Sequence, residues 1–266
     1  MIGTIGSAVV VLDAAGVIGR GLVAAALDAG AHVLAVDRSP TALATLAGLH
    51  PQASLTLLTG SAQDEPQAQA LATVLRETGR PLAAVLATFD AGKLRGRLLD
   101  QTAATTCAAL NASLEPGLAV VRHLLPLLAE GGRGGSFVLI GGPGGRHPWA
   151  GYGQRSVAEA ALRMVARVLH CEARAIGVRL QLLSVDTPTW GLHAGPPRAH
   201  WPSALEIGQH AIRLLVPGGP TDAVVEFADL PRMPEASSPD GASHNLQSAR
   251  RLLDAATHLR RQEVPS

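Results

Sequence analysis

The chemistry of this chain is organised around its only tyrosine, Tyr152. A phenol has a pKa of about 10 and acts as a general acid or base at neutral pH only when a cation lies beside it. Arg155 and Ser156 follow three and four residues later, so on a helix they share a face with the tyrosine. The only lysine, Lys93, is far away in the sequence. The spacing therefore indicates Arg155 as the cation that could activate Tyr152.

A second candidate site is the turn between the first predicted strand and the first predicted helix, residues 12–20. Gly16 and Gly19 in this turn would let the backbone approach a pyrophosphate that faces the helix N-terminus. Ile18 lies between them, and Asp37 follows the second predicted strand, where a carboxylate suits a ribose 2′-hydroxyl. The predicted cofactor contacts are therefore Gly16, Ile18, Gly19 and Asp37, with a plain strand–turn–helix corner as the alternative.

The composition argues against several other kinds of partner. The net charge is +1 and aromatic residues make up 3%, which argues against a nucleic-acid surface. No apolar run reaches the roughly 18 residues of a membrane-spanning helix. Cys107 and Cys171 fit a reduced, cytoplasmic compartment and are expected to be inert core thiols. No pair of histidines has the spacing of a zinc site on a helix, so no metal site is expected.

Short apolar runs alternate with longer alanine- and leucine-rich stretches along the first 230 residues. This alternation predicts an α/β fold, a doubly wound, Rossmann-type parallel sheet with helices on both faces. Strands are predicted at residues 7–12, 32–36, 54–58, 82–86, 137–140, 178–184 and 223–227. Helices are predicted at residues 17–28, 64–78, 94–110, 114–130 and 152–175.

Two segments interrupt the alternation. Residues 186–202 contain four prolines and two tryptophans and are predicted to form a loop over the pocket. Residues 230–243 are rich in proline and serine, as in a linker. Beyond them, apolar residues at helical spacing from Leu246 to Leu259 predict a C-terminal amphipathic helix, docked on the body or on a neighbouring subunit. The predicted division is a domain at 1–230 and a linker with a helical tail at 231–266.

A run of glycines, residues 141–145, follows the fifth predicted strand. Consecutive backbone N–H groups in such a turn can form a nest for an anion. The alternative is a turn near the pocket, whose flexibility would preorganise catalysis poorly.

Several of these segments together resemble the short-chain dehydrogenase/reductase family. Residues 135–142, 152–156 and 177–180 look like that family's fifth strand, its Tyr-x-x-x-Lys helix and its sixth strand. Asn111 lies where the family has an active-site asparagine, and Tyr152 falls at the position of the catalytic tyrosine. The resemblance covers about residues 5–230.

What this family does implies roles for the matching residues. Tyr152 would exchange a proton with an alcohol or a carbonyl, and Asn111 would help to carry a water relay. In the family, a lysine one helical turn after the tyrosine lowers the tyrosine pKa and holds the nicotinamide ribose. A serine after the fifth strand polarises the carbonyl. Asp37 would select NAD over NADP.

The family's Thr-Gly-x-x-x-Gly-x-Gly turn is present only in part. Laid on this sequence, it places Asp13 at the first glycine, Val17 at the second and Gly19 at the third, with Leu12 in place of the threonine. A branched side chain and a carboxylate would then crowd the seat of the pyrophosphate, and like charges in a partly buried site are costly. The predicted cofactor is none or a weakly bound NAD(H).

The catalytic motif is also incomplete. Ser156 stands where the family has lysine, and Gly141 and Gly142 occupy the serine region. Residues 87–90 replace the family's Asn-Asn-Ala-Gly pattern. The chain is therefore interpreted as a divergent member with degenerate cofactor and catalytic motifs. The candidate catalytic residues are Tyr152, Asn111, Arg155 and Ser156.

Three functions stay open at this point. The losses favour a catalytically impaired protein that serves as a non-catalytic or ligand-binding subunit of an oligomer, beside an active paralogue. The first alternative is an NAD(H)-dependent oxidoreductase of a small carbonyl or alcohol that uses Tyr152. The second is a nucleotide-independent lyase similar to the halohydrin dehalogenases, whose Ser-Tyr-Arg site would correspond to Tyr152 and Arg155.

The helices predicted at 114–130 and 152–175 are apolar over wide faces. In the resembled family these two helices form the dimer contact, so a homo- or hetero-oligomer is expected through them. Some hetero-oligomeric dehydrogenases of acyl-CoA pathways pair a functional with a degenerate subunit, which implies a small-molecule or acyl-CoA ligand. No nucleic acid and no membrane is expected as a partner.

Overall fold

A parallel sheet runs through the part of the chain that the structure, a computed structural model, describes: residues 7–89, 95–131, 134–189, 201–216 and 218–230. Within these residues the strands are β1 (Ala8–Leu12), β2 (His32–Asp37), β3 (Leu55–Thr59), β4 (Leu82–Thr88), β5 (Ser136–Gly141), β6 (Arg179–Ser184) and β7 (Val224–Glu226). The helices are α1 (Val17–Asp28), α2 (Pro40–Leu49), α3 (Glu65–Glu77), α4 (Ala103–Glu130), α5 (Gly153–Ala175) and α6 (Ala204–Leu215).

Helices cover both faces of the sheet, because successive strand residues point to opposite sides. In β1, Val10 packs in a core with residues of α3, α4 and α5. Its neighbours Val9 and Val11 pack in a second core with residues of α1, α2 and α6. The predicted doubly wound, Rossmann-type fold is confirmed.

The strand order is β3-β2-β1-β4-β5-β6-β7, and all the neighbouring pairs are parallel. The order reverses between β1 and β4, which creates a crevice outside the carboxyl ends of these two strands. The predicted turn at 12–20 therefore opens at the position where proteins of this architecture bind ligands.

Two helices were not among those predicted from the sequence, although both carry recognisable start signals. Ser39 caps α2 by accepting a hydrogen bond from the backbone N–H of Ala42 at 3.2 Å, and Pro40 takes the first helical position. Ser203 and Glu206 form a reciprocal capping box at the start of α6.

Glycines bring α6 against α1. A Cβ atom at Gly21 would overlap the carbonyl group of Ala204, and one at Gly208 would overlap the carbonyl group of Gly21. The two backbones therefore touch directly, which fixes the axis of α1 and with it the turn at its start.

The prediction of two helices at 94–110 and 114–130 is wrong. One helix, α4, runs from Ala103 to Glu130 and begins at the N-cap Thr102, whose hydroxyl accepts a hydrogen bond from the backbone N–H of Thr105 at 3.1 Å. The helix continues without a break through residues 111–113, where the hydroxyl of Ser113 donates to the carbonyl of Ala109.

Three further expectations concern exposure, metals and the tail. Cys107 and Cys171 are exposed, so the prediction that they are core thiols is wrong: both lie on outward faces of long helices. Among the described residues, none of the helices is both long and apolar enough to span a bilayer, and no three acidic, histidine or cysteine side chains are grouped to hold a metal ion. The tail predicted at 231–266 and residues 190–200 of the predicted loop lie outside the described residues.

Candidate active site

The turn after β1 keeps its backbone conformation although its residues differ from the family pattern. Asp13 has φ 52°, in the left-handed region that favours glycine and that aspartate tolerates better than most residues. Asp13 stands where the family has its first glycine. The turn has therefore kept the backbone shape of a glycine while gaining a carboxylate.

The two glycines of the turn make its close contacts. A Cβ atom at Gly19 would overlap the backbone carbonyl of Asp13, so only glycine lets α1 pack this tightly against the end of β1. A Cβ atom at Gly16 would overlap the carboxylate of Asp13 itself. Val17 begins α1 and is 57% exposed, whereas Ile18 packs partly buried on the core.

The carboxylate of Asp13 lies across the crevice between β1 and β4. Its Oδ2 accepts a hydrogen bond from the hydroxyl of Thr88 at 3.3 Å, and Thr88 is the last residue of β4. The carboxylate also lies against Gly16, the N-cap of α1. A negative charge thus stands at the helix N-terminus where a pyrophosphate would seat.

Asp37 is buried and holds the same turn from the other side. Its Oδ2 accepts a hydrogen bond from the backbone N–H of Ala15 at 3.1 Å, and its Oδ1 accepts one from the N–H of Ser39 at 2.9 Å. These bonds join the turn after β1 to the start of α2. Each carboxylate oxygen retains a lone pair that could receive a ribose hydroxyl.

Tyr152 immediately precedes α5 and forms part of a stack. Its ring lies 4.2 Å from the ring of Trp149, with 17° between the planes. The guanidinium carbon of Arg95 lies 5.6 Å from the centre of the same ring. The Tyr152 ring therefore has a tryptophan and a cation as its neighbours.

Ser156 has a structural role at the family's lysine position. Its hydroxyl accepts a hydrogen bond from the backbone N–H of Trp149 at 2.8 Å and donates to the carbonyl of Tyr152 at 3.1 Å. The residue is buried, and the two bonds close the turn that leads into α5. Ser156 thus fixes the position of Tyr152 without supplying a charge.

Arg155 points towards the end of β5. Its Nη2 lies 3.8 Å from Oε1 of Glu159, and its guanidinium carbon lies 5.9 Å from the centre of the Trp149 ring. A Cβ atom added at Gly142 would lie 2.5 Å from this Nη2 and 2.7 Å from this Oε1. The Arg155–Glu159 pair therefore occupies the space in which a serine side chain at residue 142 would begin.

Glu159 is a site residue that the sequence analysis missed. It is 8% exposed, and its Oε2 accepts a hydrogen bond from the backbone N–H of Gly142 at 2.9 Å. Burial raises the pKa of Glu159, although this bond and Arg155 favour the charged form; Asp186 raises the pKa further. The available signal was an acidic residue seven positions after Tyr152, on the same helix face, among small apolar residues.

The glycine run after β5 is held by the chain's own carboxylates. Besides the bond from Gly142 to Glu159, the backbone N–H of Gly144 donates to Oδ1 of Asp186 at 2.8 Å. The anion nest considered for residues 141–145 therefore has two of its N–H groups already paired. Asp186 follows β6, so the second bond also ties the β5 and β6 loops together.

A separate ion pair joins α5 to β7. Arg163 donates to the hydroxyl of Ser184 at 2.7 Å and pairs closely with Glu226. Burial alone would raise the pKa of Glu226, but hydrogen bonds from Arg163 and Ser184 hold that pKa below its ordinary value. Arg163 thus donates from both of its terminal nitrogens to acceptors on neighbouring strands.

Asn111, the remaining candidate catalytic residue, is not hydrogen-bonded to Tyr152 in the part of the chain that the structure describes. It is exposed in the middle of α4. Lys93 lies outside the described residues. The structure brings Tyr152, Arg155 and Ser156 together at one helix start and adds Trp149 and Glu159.

The residues present fit the dinucleotide implied by the resemblance only in part. Gly19 and Asp37 keep the close packing and the carboxylate that a dinucleotide site needs, but Asp13 places a negative charge where two phosphates would lie. Val17 adds an exposed branched side chain beside it. The first turn therefore does not fit a tightly bound pyrophosphate.

Comparison with protein families finds one matching model, described as enoyl-(acyl carrier protein) reductase, over residues 14–190. The match covers about two thirds of the chain; it begins one residue after Asp13 and includes Gly16, Gly19, Tyr152 and Asp186. No curated protein sequence matches the chain at a significant level.

Solved structures with the same fold include three bacterial oxidoreductases. A member of the short-chain dehydrogenase/reductase family from Burkholderia thailandensis has a TM-score of 0.68 at 24% identity, over 80% of this chain and 87% of its own. An NADPH-bound short chain oxidoreductase from Pseudomonas aeruginosa PAO1, described as containing an atypical catalytic centre, has a TM-score of 0.70 at 17% identity, over 85% and 98%. RhlG from Pseudomonas aeruginosa, in an active-site complex with NADP, has a TM-score of 0.71 at 19% identity, over 83% and 94%.

At these identities the solved structures establish the shared fold, and the family model adds a match over most of the sheet. That match spans β2 to β6 and includes Tyr152. The chain belongs to the short-chain dehydrogenase/reductase family.

Proposed function

We propose that this protein is a non-catalytic, ligand-binding subunit of an oligomer and does not transfer hydride. The observation that carries the proposal is the carboxylate of Asp13 in the crevice between β1 and β4, against Gly16 and Thr88. The carboxylate of Asp13 would repel the phosphates of a dinucleotide at this position, although Asp13 is exposed and solvent screens the repulsion. This repulsion lowers the affinity for a dinucleotide.

The arrangement around Tyr152 supports the same proposal. In the family's mechanism a lysine and a serine assist the tyrosine. Here Ser156 at the lysine position is hydrogen-bonded to the backbone, and Arg155 lies beside Glu159. The space for a serine side chain at Gly142 is taken by the Arg155–Glu159 pair. Among the described residues, the phenol therefore has neither of the two groups with which a family member activates its substrate.

An exposed apolar face supports assembly with another subunit. On α5, Val157, Met164 and Val168 are between 38% and 56% exposed, and Leu118 on the neighbouring α4 is 45% exposed. Large apolar side chains grouped on adjacent helices mark interaction surfaces. The partner proposed is a second copy or an active paralogue of the family. Light scattering on the purified protein and co-purification of a related chain with an intact Tyr-x-x-x-Lys motif would test this part.

Titration with NADH and with NADPH tests the central claim, with the nicotinamide fluorescence as the readout. We expect no saturation at micromolar concentrations of either. Saturation in the micromolar range, together with reduction of a small carbonyl panel that Tyr152→Phe abolishes, would contradict the proposal.

A second candidate function is an NAD(H)-linked oxidoreductase of a small carbonyl or alcohol. It is favoured by Asp37, which stands at the end of β2 with lone pairs available to a ribose, and by Arg95, a cation 5.6 Å from the Tyr152 ring centre. The same titration separates the two functions, because only this one needs tight binding of NADH.

A further inference from the structure

The positively charged guanidinium of Arg155 has few hydrogen-bond acceptors around it among the described residues. Its side chain is only 26% exposed, and its buried Nε has no hydrogen-bond partner in the part of the chain that the structure describes. Within the described residues its one ionic partner is Glu159, at 3.8 Å, which is too long for a hydrogen bond. Arg163, two turns later in α5, shows the contrast, since its guanidinium bonds both Ser184 and Glu226. Buried guanidinium donors that lack acceptors cost stability unless a ligand supplies them.

The position of Arg155 suits a ligand at the carboxyl edge of the sheet. Its Nη2 lies beside Gly142, which has no side chain to cover it. The backbone N–H groups of Gly142 and Gly144 are already bonded to carboxylates, so they offer nothing to an incoming anion. Within the described residues, Arg155 offers donors at this edge, and the quarter of its side chain that is exposed gives access from solvent.

We propose that Arg155 binds the carboxylate of a small organic acid at this edge of the sheet. The inference rests on the proposed function, because it names the class of ligand that the non-catalytic site takes. The planar guanidinium fork matches the two oxygens of a carboxylate. The Trp149 ring, which lies under the guanidinium and stacks on Tyr152, offers an apolar wall for the body of the acid.

The charges around Arg155 favour a carboxylate over a phosphate. Glu159 contacts Arg155 from α5, and Asp186 reaches the same loop from the end of β6. A dianionic phosphate would meet both acidic side chains with twice the charge of a carboxylate. A singly charged anion therefore suits this position better.

Glu159 couples ligand binding to a proton. When Glu159 is ionised it repels the incoming carboxylate, and when it is protonated it does not. The groups that face Glu159 are Arg155 on α5, Asp186 after β6 and the N–H of Gly142 after β5. Burial raises the pKa of Glu159, and a bound anion beside it raises that pKa further. Binding should therefore take up a proton and weaken as the pH rises.

Calorimetric titration with benzoate, acetate, inorganic phosphate and acetyl-CoA tests the inference on the full chain. We expect benzoate to bind with heats that differ between two buffers of different ionisation enthalpy, as proton uptake requires. Arg155→Gln should weaken benzoate binding about tenfold or more, whereas Arg167→Gln, an exposed arginine of the same helix, should leave it unchanged. Glu159→Gln should tighten binding and abolish the buffer dependence.

Two further measurements distinguish a failure of carboxylate binding at Arg155 from a failure of the proposed function. The side-chain Nε–Hε resonance of Arg155 should shift on benzoate addition, and Arg155→Lys, with its fold verified by circular dichroism, should bind more weakly than the parent. Absence of benzoate and acetate binding at millimolar concentrations, or binding of phosphate or acetyl-CoA alone, would overturn the carboxylate assignment and leave the NADH result untouched. Micromolar NADH binding would overturn the proposed function whatever benzoate does.

Discussion

The turn after β1 and the edge between β5 and α5 have both lost family residues, but in different ways. At the turn, Asp13 adopts φ 52° in place of a glycine and Gly19 still packs on its carbonyl group, so the backbone shape is retained. At the β5–α5 edge, Gly142 has no side chain, and Arg155 and Glu159 fill the space that a serine would need. The turn differs from the family pattern in its charge, and the β5–α5 edge differs in the side-chain groups that it offers.

The difference follows from what supports each region. The shape of the turn is fixed by backbone contacts with neighbouring strands and helices, so it persists as long as each residue can adopt the required dihedral angles. At the β5–α5 edge, catalysis in the family depends on individual side chains, and no backbone contact can replace a lysine or a serine. The backbone of the turn can therefore persist while the side chains at the edge differ from the family pattern.

The largest expected effect is on the free energy of unfolding, and it tests the backbone contact that holds the turn after β1. Gly19→Ala should destabilise the protein by about 3 kcal/mol or more, because the new Cβ atom would overlap the backbone carbonyl of Asp13, which cannot move aside. The measurement is the free energy of unfolding in urea. Gly48→Ala is the matched control, since a Cβ atom there meets nothing within 4 Å and alanine favours a helix. Equal stability of the two variants would show that the turn is not held by this contact.

The next largest expected effect is on the affinity for NADH. It tests whether the charge of Asp13 is what prevents a dinucleotide from binding at the turn after β1. Asp13→Asn keeps a residue that tolerates φ 52° and keeps an acceptor for the hydroxyl of Thr88, but it removes the negative charge. The affinity for NADH should rise about tenfold or more, measured by fluorescence titration. Asp64→Asn, which removes an N-cap charge from α3, is the control for net charge. An unchanged affinity for Asp13→Asn would mean that Val17 or another feature excludes the dinucleotide.

The sheet could be predicted from the sequence because its strands are short apolar runs whose order follows from right-handed crossovers. Two helices were missed where the signal was a start motif: Ser39 with Pro40, and the capping box of Ser203 and Glu206. Such signals are local and compete with a loop interpretation when the helix is short. α4 was predicted as two helices but is continuous, and the hydroxyl of Ser113 donates to the backbone carbonyl of Ala109 within it.

The candidate site was predictable at Tyr152 and Asp37, where one residue type at one position carries the signal. The partners of Arg155 were not predictable, because Glu159 and Gly142 meet it only once α5 packs against β5. The stack with Trp149 likewise depends on the conformation of a loop rather than on a spacing along a helix.

A smaller effect distinguishes buried Glu159 from partly buried Glu226 by the sign of their pH dependence. The pKa of Glu159 is raised in the folded state, so its contribution to stability is present at low pH and is lost as the pH rises from about 4.5 through the folded pKa. The pKa of Glu226 is lowered, so its contribution is present above about 4.5 and is lost as the pH falls.

The test measures unfolding free energies between about pH 4 and about pH 8. Relative to the parent, Glu159→Gln should gain stability as the pH rises, and Glu226→Gln should gain stability as the pH falls. Parallel curves for the two variants would show that Glu159 is not the more poorly satisfied carboxylate, and the contrast between Arg155 and Arg163 would then weaken.

The smallest effect is expected from Tyr152→Phe, and it tests whether the phenol retains a function. The ring keeps its stack on Trp149, and within the described residues the hydroxyl makes no hydrogen bond that the change would remove. The free energy of unfolding should therefore change by less than about 0.5 kcal/mol. Trp149→Ala is the comparison: it removes the stack and the face under Arg155 and should cost about 1 kcal/mol or more. Because the proposed ligand contacts Arg155 rather than the hydroxyl, Tyr152→Phe should leave the benzoate affinity unchanged and Trp149→Ala should lower it. The opposite result would show that the ligand contacts the hydroxyl of Tyr152.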